Sequence, residues 1–266
     1  MQLSKTELAI KEHRALFPKT VKSVSDGMGK TELVLKISTN KKLKKKISIG
    51  KYKGFPMVSL TLEERATCST HCVFYDGCYG DNMPFATRYK IDPSLLIQIE
   101  KDLVFYSNKY PLGFLVRLHV LGDFDSISYV KFWERMLIKF KALHIFGYTA
   151  RHDGMPDKLS RDIATHINRL RSMFGFRFAV RDSNNNSHNF TALSMDTPIA
   201  KTKLKNKELF VCPEQLDKVD GCADCGLCWT STKAVGFINH SRKALSNKRK
   251  LDAIDKQWDA ILSAPI

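Results

Sequence analysis

"GFLVRLHVLGDFDSISYVKFWERMLIKFKALHIFGYTA", residues 113–150, reads as strand, helix, strand. GFLVRLHV (113–120) is a short apolar run that ends in the turn LGDFDS. ISYVKFWERMLIKF (127–140) brings Val130, Trp133, Leu137 and Phe140 onto one face at helical spacing. ALHIFGYTA (142–150) is strand-like again. Strands that alternate with helices predict βα units and a parallel sheet or barrel.

The same alternation runs outward in both directions. DPSLLIQIEKDLVFYSNKY (92–110) carries Leu95, Leu96, Ile99, Leu103 and Phe105 near helical spacing, and PDKLSRDIATHINRLRSM (156–173) carries Leu159, Ile163, Ile167 and Leu170 on one face. FGFRFAV (174–180) is a third strand. Upstream, residues 4–16 read as a short helix with Ser4 as N-cap and Glu7 in the capping-box position. TELVLKIST (31–39) and KISIGKYKGFPMVSL (46–60) read as two strands, the second broken at Gly54-Phe55-Pro56. Between them, residues 41–53 hold seven lysines and no acid. Residues 241–263 read as a basic helix with Arg242, Lys243, Lys248, Arg249 and Lys250 near its start.

The expected fold is therefore α/β: a partial or open βα barrel with an N-terminal basic β-hairpin and a C-terminal cysteine-rich metal-binding lobe. The expected division is 1–60 (helix and hairpin), 61–200 (βα core with a three-cysteine loop) and 201–266 (cysteine-rich segment and basic helix).

The chain has 266 residues, 43% hydrophobic and 26% charged, a globular composition. The N-terminus has no signal-peptide core, and no run approaches eighteen apolar residues, so a cytoplasmic protein without a membrane partner is expected. Its 43 basic and 27 acidic residues leave a net charge of +16, which points to a polyanionic partner, nucleic acid first. The plainer alternative is a basic, solvated surface, with lysines guarding an edge strand. The sequence carries no signature of oligomeric state.

All seven cysteines lie in two stretches, CSTHCVFYDGC (68–78) and CPEQLDKVDGCADCGLC (212–228). In a reducing compartment such clusters are metal-binding or catalytic more often than disulfide-bonded. Cys212, Cys222, Cys225 and Cys228 follow C-x9-C-x2-C-x2-C. Three cysteines at two-residue gaps wrap a loop round a cubic cluster and a fourth completes it; Gly221 and Gly226 would ease the turns. Four-cysteine zinc is the alternative, although it usually draws on two separated C-x2-C pairs. It could also use three of these thiols with His240. Cys68, Cys72 and Cys78 follow C-x3-C-x5-C and leave one position open on either a 4Fe-4S cluster or a catalytic zinc ion. His71, inside the motif, is a ligand or a neighbour.

Arg117 and His119, two apart on a strand, are expected to point the same way near its C-terminal end, where βα folds bind ligands. Tyr148, Thr149 and Arg151 end the next strand, and Arg181, Asp182 and Ser183 the third. Together these outline one mouth, which the polar loop SNNNSHN (183–189) could cover. No Walker loop, Rossmann fingerprint, HExxH or serine-hydrolase elbow is found.

The motifs CSTHCVFYDGCYG, VRLHVLGDFDSISYVKFWERM, HIFGYTAR, CADCGLCW and VGFINH, in this order over roughly residues 60–240, resemble the uncharacterised phage "gene product 88" family. That resemblance implies a phage or prophage origin, hence a host-cell cytoplasm, and no established activity. More distantly the layout is similar to radical S-adenosylmethionine enzymes. Those carry a three-cysteine loop near the start of a βα barrel, whose open iron chelates the cofactor; an electron then cleaves the sulfonium to a 5′-deoxyadenosyl radical. Some have an auxiliary cluster, which the quartet matches. The last gap here is five residues where that family has two, and its Gly-Gly-Glu stretch is absent. Gly122-Asp123, after strand 113–120, is the nearest counterpart, and Asp123 is then either a ligand for the cofactor's ammonium or a helix cap.

The leading expectation is an iron–sulfur enzyme with a catalytic cluster on Cys68, Cys72 and Cys78, S-adenosylmethionine near Gly122, Asp123, Arg117 and His119, and a second cluster on the quartet. Nucleic acid or a nucleotide is its expected substrate. The alternatives are a non-enzymatic, metal-stabilised nucleic-acid-binding protein, with iron–sulfur or zinc at both sites, and a zinc hydrolase or deaminase using the trio. The deaminase pairing of H-x-E with P-C-x-x-C is not found.

Overall fold

A computed structural model of the chain describes residues 3–27, 32–185, 190–195 and 209–238. Helix α1 (Lys5–Lys11) starts with a reciprocal capping box, Ser4 accepting from the Glu7 amide and Glu7 from the Ser4 amide. It stops well short of residue 16. Strands β1 (Val21–Lys22), β2 (Lys36–Ile37), β3 (Met57–Ser59) and β4 (Arg88–Tyr89) are short. The long elements follow in the expected order: α2 (Pro93–Lys109), β5 (Phe114–Leu118), α3 (Ile127–Lys139), β6 (Leu143–Thr149), α4 (Lys158–Phe174) and β7 (Phe178–Ser183). Then come β8 (Thr191–Met195), β9 (Phe210–Val211), the helical turn α5 (Leu227–Thr230) and β10 (Val235–Ile238). Asp92, Ser126 and Asp157 cap α2, α3 and α4 through their side chains, which satisfies amides that the first turn leaves free.

Eight strands form one mostly parallel sheet in the order β2-β3-β5-β6-β7-β8-β10-β9; only β2 against β3 is antiparallel. Among the described residues β2 and β9 are its edges. β1 and β4 form a separate parallel pair. The expected basic hairpin is reduced to the β2–β3 pairing, because β3 also pairs with β5 inside the main sheet.

Side chains alternate across the strands. On one face Val58, Val116, Leu118, Ile145 and Val180 meet the apolar stripes of α2, α3 and α4, including Ile99, Trp133 and Ile167. On the other, Met57, Leu115, Phe146 and Ala179 meet Leu43, Ile47, Tyr52 and Trp229. The strands are thus covered on both sides, as near-continuous apolar runs in a parallel sheet require. The second cover comes from two segments far apart in sequence, 42–55 and 222–229. No helix among the described residues is long and apolar enough to cross a membrane. The basic helix expected at 241–263, His240 and most of the loop 183–189 lie outside the described residues.

Candidate metal centres

The trio lies on the loop that leaves β3. Two buried ion pairs shape that loop. Arg65 reaches both oxygens of Asp81 at 2.9 and 3.0 Å and the Tyr75 carbonyl at 3.1 Å. Arg88 pairs with Glu64 at 2.6 Å and donates to the carbonyls of Gly80, Met83 and Ala86. A fully buried guanidinium needs such a set of acceptors, so these two arginines set the path of residues 64–88. The N-terminal segment closes over the loop: His13 Nδ1 lies 2.6 Å from the Tyr75 hydroxyl, and the Ala15 amide donates to Glu63.

Cys68, Cys72 and Cys78 are unbridged and partly buried. Desolvation pushes the Cys68 thiol well up, and the negative charges of Asp123, Cys72 and Cys78 add to it. Cys78 is pushed up to about 11, mainly by burial. The three thiols therefore share one electrostatic neighbourhood. His71, by contrast, is exposed.

The turn after β5 grips this loop. Gly122 has a φ of +82°, and a Cβ there would sit 2.6 Å from Leu62 Cβ and 2.7 Å from Thr67 Oγ1. Only glycine allows both the left-handed turn and the close approach. The Asp123 amide donates to Thr67 Oγ1. The Asp123 carboxylate accepts from the Phe124 amide at 2.7 Å and the Ala150 amide at 2.8 Å. Burial raises its pKa, opposed by Arg151, Thr149 and these amides. Asp123 is thus a clasp between the ends of β5 and β6. Arg151, also buried, donates to the Thr67 carbonyl and to Ser160.

The quartet sits against the opposite face of the sheet from α2–α4. Trp229 packs on Phe146 with ring centroids 4.8 Å apart. Arg181 donates to the carbonyls of Leu227, Cys228, Ser231 and Lys233 and thereby gathers the turn around α5. The Cys222 amide donates to the Lys42 carbonyl and the Ser48 amide to the Ala223 carbonyl. Gly221 passes so near Lys42 that a Cβ would lie 2.5 Å from its carbonyl oxygen, and Gly226 has a φ of +72°. Burial raises Cys222 to about 12 and also raises Cys225 and Cys228; Cys212, Cys225 and Cys228 each contribute charge to a neighbour in the group. Among the described residues no three His, Cys, Asp or Glu side chains converge, as they stand, on a single metal-ion position.

Arg117 and His119 do not share a face. Arg117 lies over the Tyr148 ring, 6.0 Å from its centroid, on the quartet side, and its Nε has no hydrogen-bond partner. His119 falls just beyond the end of β5, where strand alternation no longer applies. It is buried on the helix side, 3.0 Å from the Tyr129 hydroxyl and edge-on to Phe124. Tyr148 donates to Cys228, so it belongs to the quartet and not to an open mouth. Asp182 pairs with Arg171. Sequence reasoning passed over Glu64, Arg65, Asp81 and Arg88, since nothing in their local spacing marks them as partners. No protein-family model, curated protein or solved structure matches the chain.

Proposed function

We propose that the chain is an iron–sulfur enzyme of the radical S-adenosylmethionine type on a partial βα barrel, with its catalytic cluster on Cys68, Cys72 and Cys78. The observation that carries this reading is the attachment of the trio loop. It leaves β3, the first of six parallel strands that neighbour one another in chain order, and is tied to the ends of β5 and β6 through Thr67. Open βα sheets collect ligands at that end of their strands. The three long helices α2–α4 on one face, with β3, β5, β6, β7 and β8 side by side in chain order, support curling toward a barrel.

The donor set fits the group. Three thiols from one loop share a neighbourhood in which burial opposes their deprotonation; a cationic centre offsets that cost when it takes the thiolates. When bound, such a cluster supplies the electron for reductive cleavage of a sulfonium cofactor. The chain's own residues do the rest. Gly122, Thr67 and Asp123 clamp the loop, and Arg65 and Arg88 hold it from within by direct hydrogen bonds. The quartet Cys212, Cys222, Cys225 and Cys228 would hold a structural or electron-relaying centre.

Anaerobic purification with iron, sulfide and zinc analysis tests the reading. A brown protein is expected, whose electron paramagnetic resonance spectrum responds to S-adenosylmethionine. Dithionite should yield 5′-deoxyadenosine slowly without substrate, and Cys72→Ala should abolish both effects while the quartet keeps its iron. A colourless protein holding zinc sinks the proposal. One observation favours a second reading, a non-catalytic, metal-stabilised nucleic-acid-binding protein: both oxygens of the Asp123 carboxylate are already committed to backbone amides. Two clusters and a spectrum indifferent to the cofactor would select it.

A further inference from the structure

We infer that a cavity beside the trio loop is a subsite for one nucleotide of a single-stranded nucleic acid. The cavity, about 250 Å³, opens between the β2–β3 edge and the tail of the trio loop. Lys36, Asn40, Ser59, Thr61, Thr87 and Tyr89 bring it four hydroxyls, an amide and an ammonium, and no carboxylate lines it. That set donates to and accepts from base edges and sugar oxygens and favours a negative group. Met83 and Val120 supply apolar wall for a ring face. The volume falls below the roughly 300–1,000 Å³ of sites for larger ligands, which suits a single nucleotide unit.

Tyr89 supplies an independent sign of a missing ligand. The residue is 2% exposed, and its hydroxyl lies beside the Lys36 ammonium, which can donate to it but cannot accept, so the hydroxyl's own proton has no acceptor. A buried hydroxyl without an acceptor is costly, and a ligand atom in the cavity would satisfy it. Lys36 pairs with Glu32 at 3.2 Å, where both side chains reach solvent, and also interacts with the Tyr89 hydroxyl.

The rim favours a strand over a free nucleotide. Phe85 is 94% exposed and sits between Met83 and Ala86, which line the cavity. Tyr79, 61% exposed, opens the same stretch of loop. Rings standing in water beside a polar cavity are stacking platforms for bases. The opposite wall, from Lys36 to Leu43, continues into the exposed Lys41, Lys45 and Lys46, which suit phosphates.

As a substrate subsite this rests on the enzyme reading above; as a binding site it does not, so the two are tested apart. Fluorescence anisotropy of the purified holoprotein would be read with labelled oligodeoxythymidine, an oligouridine of the same length and a duplex competitor. Either single strand should bind more tightly than duplex. Phe85→Ala should weaken binding about tenfold, and Tyr89→Phe, which keeps the ring, should weaken it several-fold. Parent-like affinity in both variants, or equal affinity for duplex, overturns the inference. Failure there leaves the cluster reading standing. A colourless protein that still binds through Phe85 would remove the enzyme and keep the subsite.

Discussion

The Tyr148 hydroxyl donates to the sulfur of Cys228 across 3.1 Å, tying the inner face of β6 to a thiol eighty residues further along. Hydrogen bonds to cluster sulfurs stabilise the reduced state. Tyr148→Phe should therefore lower the reduction potential of a quartet cluster, read in a redox titration followed by electron paramagnetic resonance. Folding should lose only about 0.5–1.5 kcal/mol. An unchanged potential would mean that the quartet holds no redox-active centre or that the contact does not persist.

Arg88 should matter more than any exposed cation. Its side chain is fully buried against Glu64 and also holds three loop carbonyls. Arg88→Leu leaves Glu64 uncompensated and should cost about 3–5 kcal/mol in urea unfolding. The double variant with Glu64→Leu should recover part of that loss. If Arg88→Leu unfolds like the parent, the trio loop is not organised from this pair.

Acid should weaken the fold through two histidines, buried His119 and half-buried His144. Burial lowers His119 to about 3 and His144 to about 4, each also disfavoured by a nearby arginine. In the unfolded chain both titrate near 6.5. As pH falls below that value the unfolded state takes up protons that the folded state refuses, so stability present at neutral pH is lost down to about pH 3–4. The slope approaches about 1.4 kcal/mol per pH unit for each histidine. His144→Phe, which keeps the ring contacts to Tyr52 and Phe55, should flatten the decline between about pH 7 and about pH 5. Denaturant titrations at the two values would show an equally steep decline if His144 were reached by solvent in the fold.

Not all of the seven lysines at 41–53 are free to meet phosphates. Lys42 pairs with Glu214, and Lys44 with Asp224, inside the structure. Lys45, Lys46, Lys51 and Lys53 are exposed. Replacing these four with serine should flatten the dependence of log affinity on log salt by about 0.9 for each phosphate no longer neutralised. Lys44→Ser should leave that slope nearly unchanged and loosen residues 220–224, read as faster proteolysis there.

The α/β alternation from 92 to 180 was legible because the helices and strands there are long enough to show their own period; α2, α3, α4, β5 and β6 fall where the pattern put them, while β7 starts later than the expected 174, at Phe178, after a helical turn at Gly175–Arg177. β8 and β10 were not anticipated. They are short, and they are strands chiefly because they find each other across some forty residues, which no local window sees. The strand expected over 46–60 survives only as Met57–Ser59, since Leu43, Ile47 and Tyr52 turn instead to cover the sheet. The cysteine groupings were visible as spacing. The arginines that shape the trio loop were not, because burial of Arg65 and Arg88 is a fact of tertiary contact. The shared face expected of Arg117 and His119 failed for a local reason, the end of β5 at Leu118.

Lys42 and Ser48 find backbone partners at Cys222 and Ala223. During synthesis on a ribosome, the lysine-rich segment waits for the whole βα run, α2 to β8, before its counterpart appears. Throughout that interval Phe146 and Leu115 lack the lid that Trp229 provides. Until then one face of the sheet has only half of its cover, Leu43, Ile47 and Tyr52, and the arrival of the cysteine quartet with Trp229 is the event that closes it.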